Sequence, residues 1–202
     1  MIGALILALI FLYAITIHEF SHAAVANMLG DPTPKLAGRL TLNPIPHLDP
    51  IGTLLPLIFI LSGSPLVFGW AKPVPINPYN FRDPVRGEMA VSLAGPLSNL
   101  LSAWFVATLI RFIPFEFINQ GAVVSIISSF ILLNLALAVF NLIPIPPLDG
   151  SHILEPFIPY EWRRTLEQYG FFILIFILIS PPTSYALMYI VDLLFRLIVR
   201  TG

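Results

Sequence analysis

Long uncharged apolar runs, separated by short polar and proline-rich connectors, organise this chain. Residues 2–29 form one long, largely apolar stretch whose only acidic, basic or imidazole side chains are His18, Glu19 and His22, and the run ends at Gly30-Asp31-Pro32, a strong helix stop. At about 1.5 Å per residue it is longer than a hydrocarbon core of roughly 30 Å, so it predicts a membrane-spanning helix. The runs 89–110 and 121–143 each have the length of one further crossing. Residues 51–68 are also uncharged but contain Pro56, Gly63 and Pro65, and 169–199 is broken at Ser180-Pro181-Pro182. The stretch 31–50, with Thr, Leu and several prolines, is expected to supply short membrane-associated strands rather than a helix.

Composition sharpens this reading. Of 202 residues, 57% are hydrophobic and only 10% charged, against about 25% charged in ordinary soluble domains. The pattern is that of an all-α polytopic membrane protein forming a single domain over 1–202. Twenty prolines argue against a set of plain, unbroken spans. A net charge of −1 without any basic run gives no footprint for nucleic acid. The absence of cysteine excludes disulfides and thiolate metal ligands. The N-terminal apolar run lacks a basic leader and carries the histidines, so it is expected to be a retained span rather than a signal peptide.

The basic residues suggest an orientation. Lys35 and Arg39 follow the first run, Lys72, Arg82 and Arg86 precede the second, and Arg163 and Arg164 follow 121–149. If these clusters face the cytoplasm, the N-terminus lies outside, and 51–68 is a re-entrant or interfacial segment rather than a crossing. The tail, 169–199, then forms a helical hairpin of roughly 169–180 and 184–199 that returns Arg196 and Arg200 to the cytoplasm. A single kinked span is the competing reading.

Three polar residues in the first run carry the chemistry. His18-Glu19-Phe20-Ser21-His22 is an HExxH motif, in which two imidazoles four residues apart on one helix face grip a metal and the Glu handles a proton. A carboxylate at bilayer depth costs about 2.5–3.5 kcal/mol, so its presence demands a compensating role. Two histidines do not complete a catalytic zinc site, which uses three protein ligands and a water. Asp149 is the candidate third ligand: Pro144, Pro146 and Pro147 end the third run in an extended segment able to aim a carboxylate inward. With the N-terminus outside, Asp149 arrives on the same side as His22. Asp192 has Arg196 four residues on and reads as half of a helical ion pair.

The chain resembles the site-2 proteases, intramembrane zinc metalloproteases of the compact branch without PDZ or CBS domains. The likeness rests on His18 to His22, on Gly95-Pro96-Leu97-Ser98-Asn99, and on Asn141 through Asp149-Gly150, in that order. The stretches 43–53 and 69–75 look similar too. The resemblance implies one zinc ion per chain held by His18, His22 and Asp149, with Glu19 as general base. It also implies a three-span catalytic core, here 2–29, 89–110 and 121–149, in a multi-pass protein of the plasma membrane. The active site then faces the cytoplasmic side, and the partners are transmembrane-helix substrates within the lipid bilayer.

Asn99 and Asn141 are candidates for binding substrate or its oxyanion, or for capping freed backbone. Gly95-Pro96 reads as a kink or close-packing point, and Asn134 as a polar packing contact. His47 with Asp49 reads as a loop-stabilising pair or an accessory metal site, and His152 as the start of a helix or a neighbour of the ligand. A metal transporter is the rival function class, but the chain shows no paired repeat of broken helices. An inactive helix-binding homologue would have no need of Glu19.

Overall fold

A computed structural model describes residues 2–50, 52, 58, 62, 71–113 and 121–200. The order is α1 (Ile2–Met28), α2 (Thr33–Leu36), α3 (Pro84–Ile110), α4 (Gly121–Asn141), α5 (Asp149–Leu154), α6 (Tyr160–Ile179) and α7 (Pro181–Arg200). Single 3-10 turns occur at Ile45–His47, Pro78–Asn80 and Glu155–Phe157. Among the described residues, four helices are long and apolar enough to cross a membrane: α1, α3, α4 and α7. Large apolar side chains such as Leu5, Leu9, Leu101, Trp104 and Phe105 stand exposed on their outer faces, as lipid-facing surfaces do.

The inner faces are built from small residues. Ala14, Ala23 and Ala26 of α1 and Ala103 of α3 are wholly buried. Their lack of bulk lets helices approach closely, which drives packing where no hydrophobic effect separates helix from lipid. α3 lies between α1 and α4, and α7 packs on α4 and α3. Ala103, Ala107, Ile131, Leu135 and Val191 close that second interface.

Two chain reversals follow α1 in quick succession, and each is a left-handed glycine cap. At Gly30 (φ +104°), the Gly30 N–H donates to the Asn27 carbonyl and the Asp31 N–H to that of Ala26. At Gly38 (φ +69°), the Gly38 N–H donates to Lys35 and the Arg39 N–H to Pro34. Both are Schellman motifs, and only glycine takes the positive φ without strain. Asp31, wholly buried, then ties the first reversal to a distant segment. Its carboxylate accepts from the Thr33 N–H (3.0 Å) and hydroxyl (2.5 Å), the Asn77 N–H (2.8 Å) and the Asn80 amide (2.7 Å).

Two expectations need correction. Where the sequence suggests strands, 31–50 instead makes α2, one 3-10 turn and bends, and no strand occurs among the described residues. Pro32, Pro34, Pro44 and Pro46 supply no N–H to a ladder and fit first-turn helical positions. The expected break near 180 is present, since α6 ends at Ile179 and α7 starts at Pro181. Of the pair, only α7 is long and apolar enough to be a candidate span. The first half of α6 carries Glu161, Arg163, Arg164 and Glu167. The Arg111 guanidinium, just past the end of α3, donates to the Ile198 carbonyl (2.8 Å). α7 therefore ends beside the end of α3, and Arg196 lies at the opposite end of the bundle from Lys72 and Arg82. The re-entrant or interfacial reading of 51–68 falls, apart from Gly52, Ile58 and Ser62, outside the described residues.

Candidate metal centre

The first pair of ligands is set by helix geometry alone. His18 and His22 lie one turn apart on the inward face of α1, with their rings edge to face at 4.7 Å between centroids. They lie roughly 9–15 Å from the C-terminal end of that helix, at about 1.5 Å per residue. The third ligand arrives from the proline-rich segment after α4. Asp149 opens α5, and its Oδ2 lies 3.1 Å from His18 Nε2 while its Oδ1 lies 3.4 Å from His22 Nε2. All three donor atoms fall within 4.8 Å of one another. Gly150 permits this placement, because a Cβ there would collide with the backbone of Leu142 and Ile143.

The far side of each imidazole is already engaged. His22 Nδ1–H donates to the Val91 carbonyl at 2.6 Å, and His18 Nδ1–H donates to the Asn99 side-chain oxygen at 2.7 Å. The orientation of Asn99 follows from its other end: its amide donates to the Ala14 carbonyl (3.0 Å), which can only accept, and to the Asn134 side-chain oxygen (3.0 Å). Asn134 in turn donates to the Phe130 carbonyl. This chain fixes both ring protons on Nδ1, so the two Nε2 lone pairs point at the carboxylate. Asp149 Oδ2 is buried and meets no hydrogen-bond donor among the described residues. Two imidazole lone pairs and a carboxylate facing one another at contact distance repel unless a cation sits among them. Two nitrogens and one oxygen suit zinc, and hydrogen-bonded outer nitrogens are the usual support of histidine ligands.

Gly95 leaves the space for it. The backbone of α3 passes so close that a Cβ at Gly95 would collide with Nε2 of both His18 and His22. The sequence offers Gly95-Pro96 as a kink or a close-packing point, and the atoms packed against Gly95 are the metal-facing nitrogens themselves.

Glu19 is buried on α1 beside the ligands, and Arg39 Nη2 lies 3.9 Å from its Oε2. Arg39 is 4% exposed and donates also to the Lys72 carbonyl. Burial lowers its guanidinium from the ordinary value, and the Glu19 charge pulls it back up. No periodicity marked Arg39 in the sequence, since its partner lies twenty residues back across a chain reversal.

The remaining candidates disperse. Asn99 is wholly buried behind His18. Asn141 donates to the Leu137 carbonyl of its own helix at 3.0 Å. His47 is wholly buried, with Nε2–H donating to the Thr41 carbonyl at 2.8 Å, and Asp49 accepts from the Gly52 N–H at 2.7 Å; both brace a loop. His152 sits between Glu88 and Glu155, each 3.5 Å away, at the surface where α3 meets α5. Among the described residues His18, His22 and Asp149 are the one group placed to hold a metal.

The chain is similar to several known proteins. Residues 115–180 match the model of peptidase family M50. The chain is 41% identical to YwhC of Bacillus subtilis over 189 residues, 90% of this chain and 83% of the relative. It is 35% identical to Rip2 of Mycolicibacterium smegmatis over 190 residues, covering 91% and 70%. With MJ0611 of Methanocaldococcus jannaschii the identity is 38% over 107 residues, covering 52% and 51%. Each of the three bears the name "Putative zinc metalloprotease". No solved structure matches the chain significantly.

Proposed function

The chain belongs to peptidase family M50 and is a zinc metalloprotease; from that premise we propose that it cleaves peptide bonds in or near the transmembrane helices of membrane-protein substrates. The observation that carries this reading is the depth of the site. The donor atoms of His18, His22 and Asp149 converge inside a bundle of candidate membrane spans, not on a water-facing surface.

The roles follow from the side chains. His18, His22 and Asp149 hold the zinc, which when bound supplies a Lewis acid for the scissile carbonyl and lowers the pKa of a water toward about 7. Glu19, one residue from His18, takes the water proton on a carboxylate oxygen and delivers it to the leaving amine. Asn99 acts through His18, holding the ring in the tautomer that leaves Nε2 free. Asn141 keeps the end of α4 intact where the chain turns toward Asp149. A helical substrate hides its carbonyls in its own hydrogen bonds, so it unwinds locally before attack. The stretch 71–76, which lies in no helix, is a suitable seat for the unwound strand, with Val74 and Ile76 carrying backbone N–H groups on either side of Pro75.

We place the protein in the plasma membrane with the site toward the cytoplasm. Lys35, Arg39, Lys72, Arg82, Arg86, Arg163 and Arg164 gather at the end of the bundle nearer the ligands, against Arg111, Arg196 and Arg200 at the other. The test is zinc content together with cleavage of a panel of helical transmembrane peptides. One zinc per chain in wild type and Glu19→Gln, reduced zinc in Asp149→Ala, and cleavage lost in both variants is the expected result. Zinc-loaded wild type that cleaves no member of the panel would count against it.

A further inference from the structure

The mechanism uses Glu19 but leaves unexplained the guanidinium beside it. Arg39 is a charged side chain almost fully withdrawn from solvent, and it is held there by design of the backbone. The Schellman motif at Gly38 reverses the chain after α2, and the Arg39 N–H closes that motif on the Pro34 carbonyl at 2.8 Å. The side chain thereby returns toward α1. One of its nitrogens, Nη2, makes an ion pair with the Glu19 carboxylate at 3.9 Å and donates a hydrogen bond to the Lys72 carbonyl. Its Nε is buried with no acceptor among the described residues.

A guanidinium that only neutralised Glu19 would not need the second contact. Lys72 lies in the irregular stretch 71–76, and its N–H is tied in turn to the His47 carbonyl at 3.0 Å. Arg39 thus bridges a carboxylate on a spanning helix and the backbone of a connector fifty-three residues farther along. Both contacts run from the one terminal nitrogen Nη2, so a single end group ties the two segments together.

Resting on the protease reading, we propose that Arg39 is a positioning residue for the reaction: it fixes where the Glu19 carboxylate points and holds it in register with the stretch 71–76. Proton transfer depends on this register, because a base must lie within hydrogen-bond reach of the proton it takes. In a site shielded from water the pair is attracted far more strongly than at a surface, so the carboxylate is held rather than free to swing.

The experiment compares wild type, Arg39→Met and Arg39→Lys by three readouts. These are zinc per chain, kcat and KM on a cleaved transmembrane peptide, and the infrared carboxylate band of Glu19, identified by subtracting Glu19→Gln in each background. The expected result is one zinc per chain throughout. In Arg39→Met, kcat falls by about 100-fold with KM within about threefold, and the Glu19 band shifts. Arg39→Lys recovers part of kcat and part of the band position. An unmoved Glu19 band overturns the proposal. So does a loss of activity that tracks loss of zinc, with kcat per zinc-loaded chain unchanged, since Arg39 would then only support the fold. Wild type that cleaves no peptide would refute the protease reading instead, and the infrared band would still decide whether Arg39 holds Glu19.

Discussion

His18 and Asn99, 81 residues apart in sequence, meet at 2.7 Å between the Nδ1 of one and the side-chain oxygen of the other. The contact determines which ring nitrogen of His18 carries its proton, and so whether Nε2 is available to a metal. Asn99→Leu removes the acceptor while keeping the volume. We expect zinc affinity, measured by competition with a chelator, to fall by about 10–100-fold.

Gly95 yields a sharper test, because the change adds a single methyl. Alanine is the better helix former by about 1 kcal/mol, so Gly95→Ala carries no propensity cost in α3. Its Cβ would nevertheless occupy the space beside both Nε2 atoms. The expected outcome is a folded protein by circular dichroism in detergent that contains little zinc and does not cleave peptide. A zinc-replete and active Gly95→Ala would show that α3 can move aside freely.

Asp31 links stability to pH. Burial alone would raise its pKa, but the donors on Thr33, Asn77 and Asn80 stabilise the anion more and hold the carboxyl below its ordinary 3.8. A depressed folded pKa contributes stability that is complete above the unfolded value and disappears as pH falls through the folded one. Asp31→Asn turns one accepting oxygen into a donor that faces donors. The variant is expected to lose about 1–3 kcal/mol at pH 7, read as a lower melting temperature in detergent. The gap between variant and wild type should narrow only below about pH 4, and a gap independent of pH would contradict this account.

The course of α7 is testable from the membrane's two sides. The chain has no cysteine, so single cysteines can be introduced without background. Arg82→Cys and Arg196→Cys are expected to react with an impermeant thiol reagent from opposite sides of a sealed vesicle. Labelling of both from one side would restore the hairpin. The Arg196–Asp192 pair removed by the second change is exposed, at 2.8 Å, and its loss should matter little to stability.

Much of this protein is written locally. Helical periodicity alone puts His18 and His22 on one face of α1, and run length alone marks α1, α3 and α4 as spans. Three prolines before Asp149 end the helix as expected, but 142–148 folds into turns and bends rather than the extended segment the sequence suggests, and it is these turns that bring Asp149 to His18 and His22. These features depend on neighbours in sequence, where the 3.6-residue repeat and the proline ring act. The direction of α7 was not legible, because an apolar helix broken at Ser180 fits a hairpin or a single crossing equally well. Only the Arg111–Ile198 contact and the Val191 interface decide it. The partners of the site were hidden for the same reason. Asn99 behind His18, Gly95 against both metal-facing nitrogens, and Arg39 beside Glu19 are contacts between segments far apart in the chain or beyond a reversal. Nothing in local periodicity encodes them, and they exist only once α3 and the loop after α2 are packed against α1.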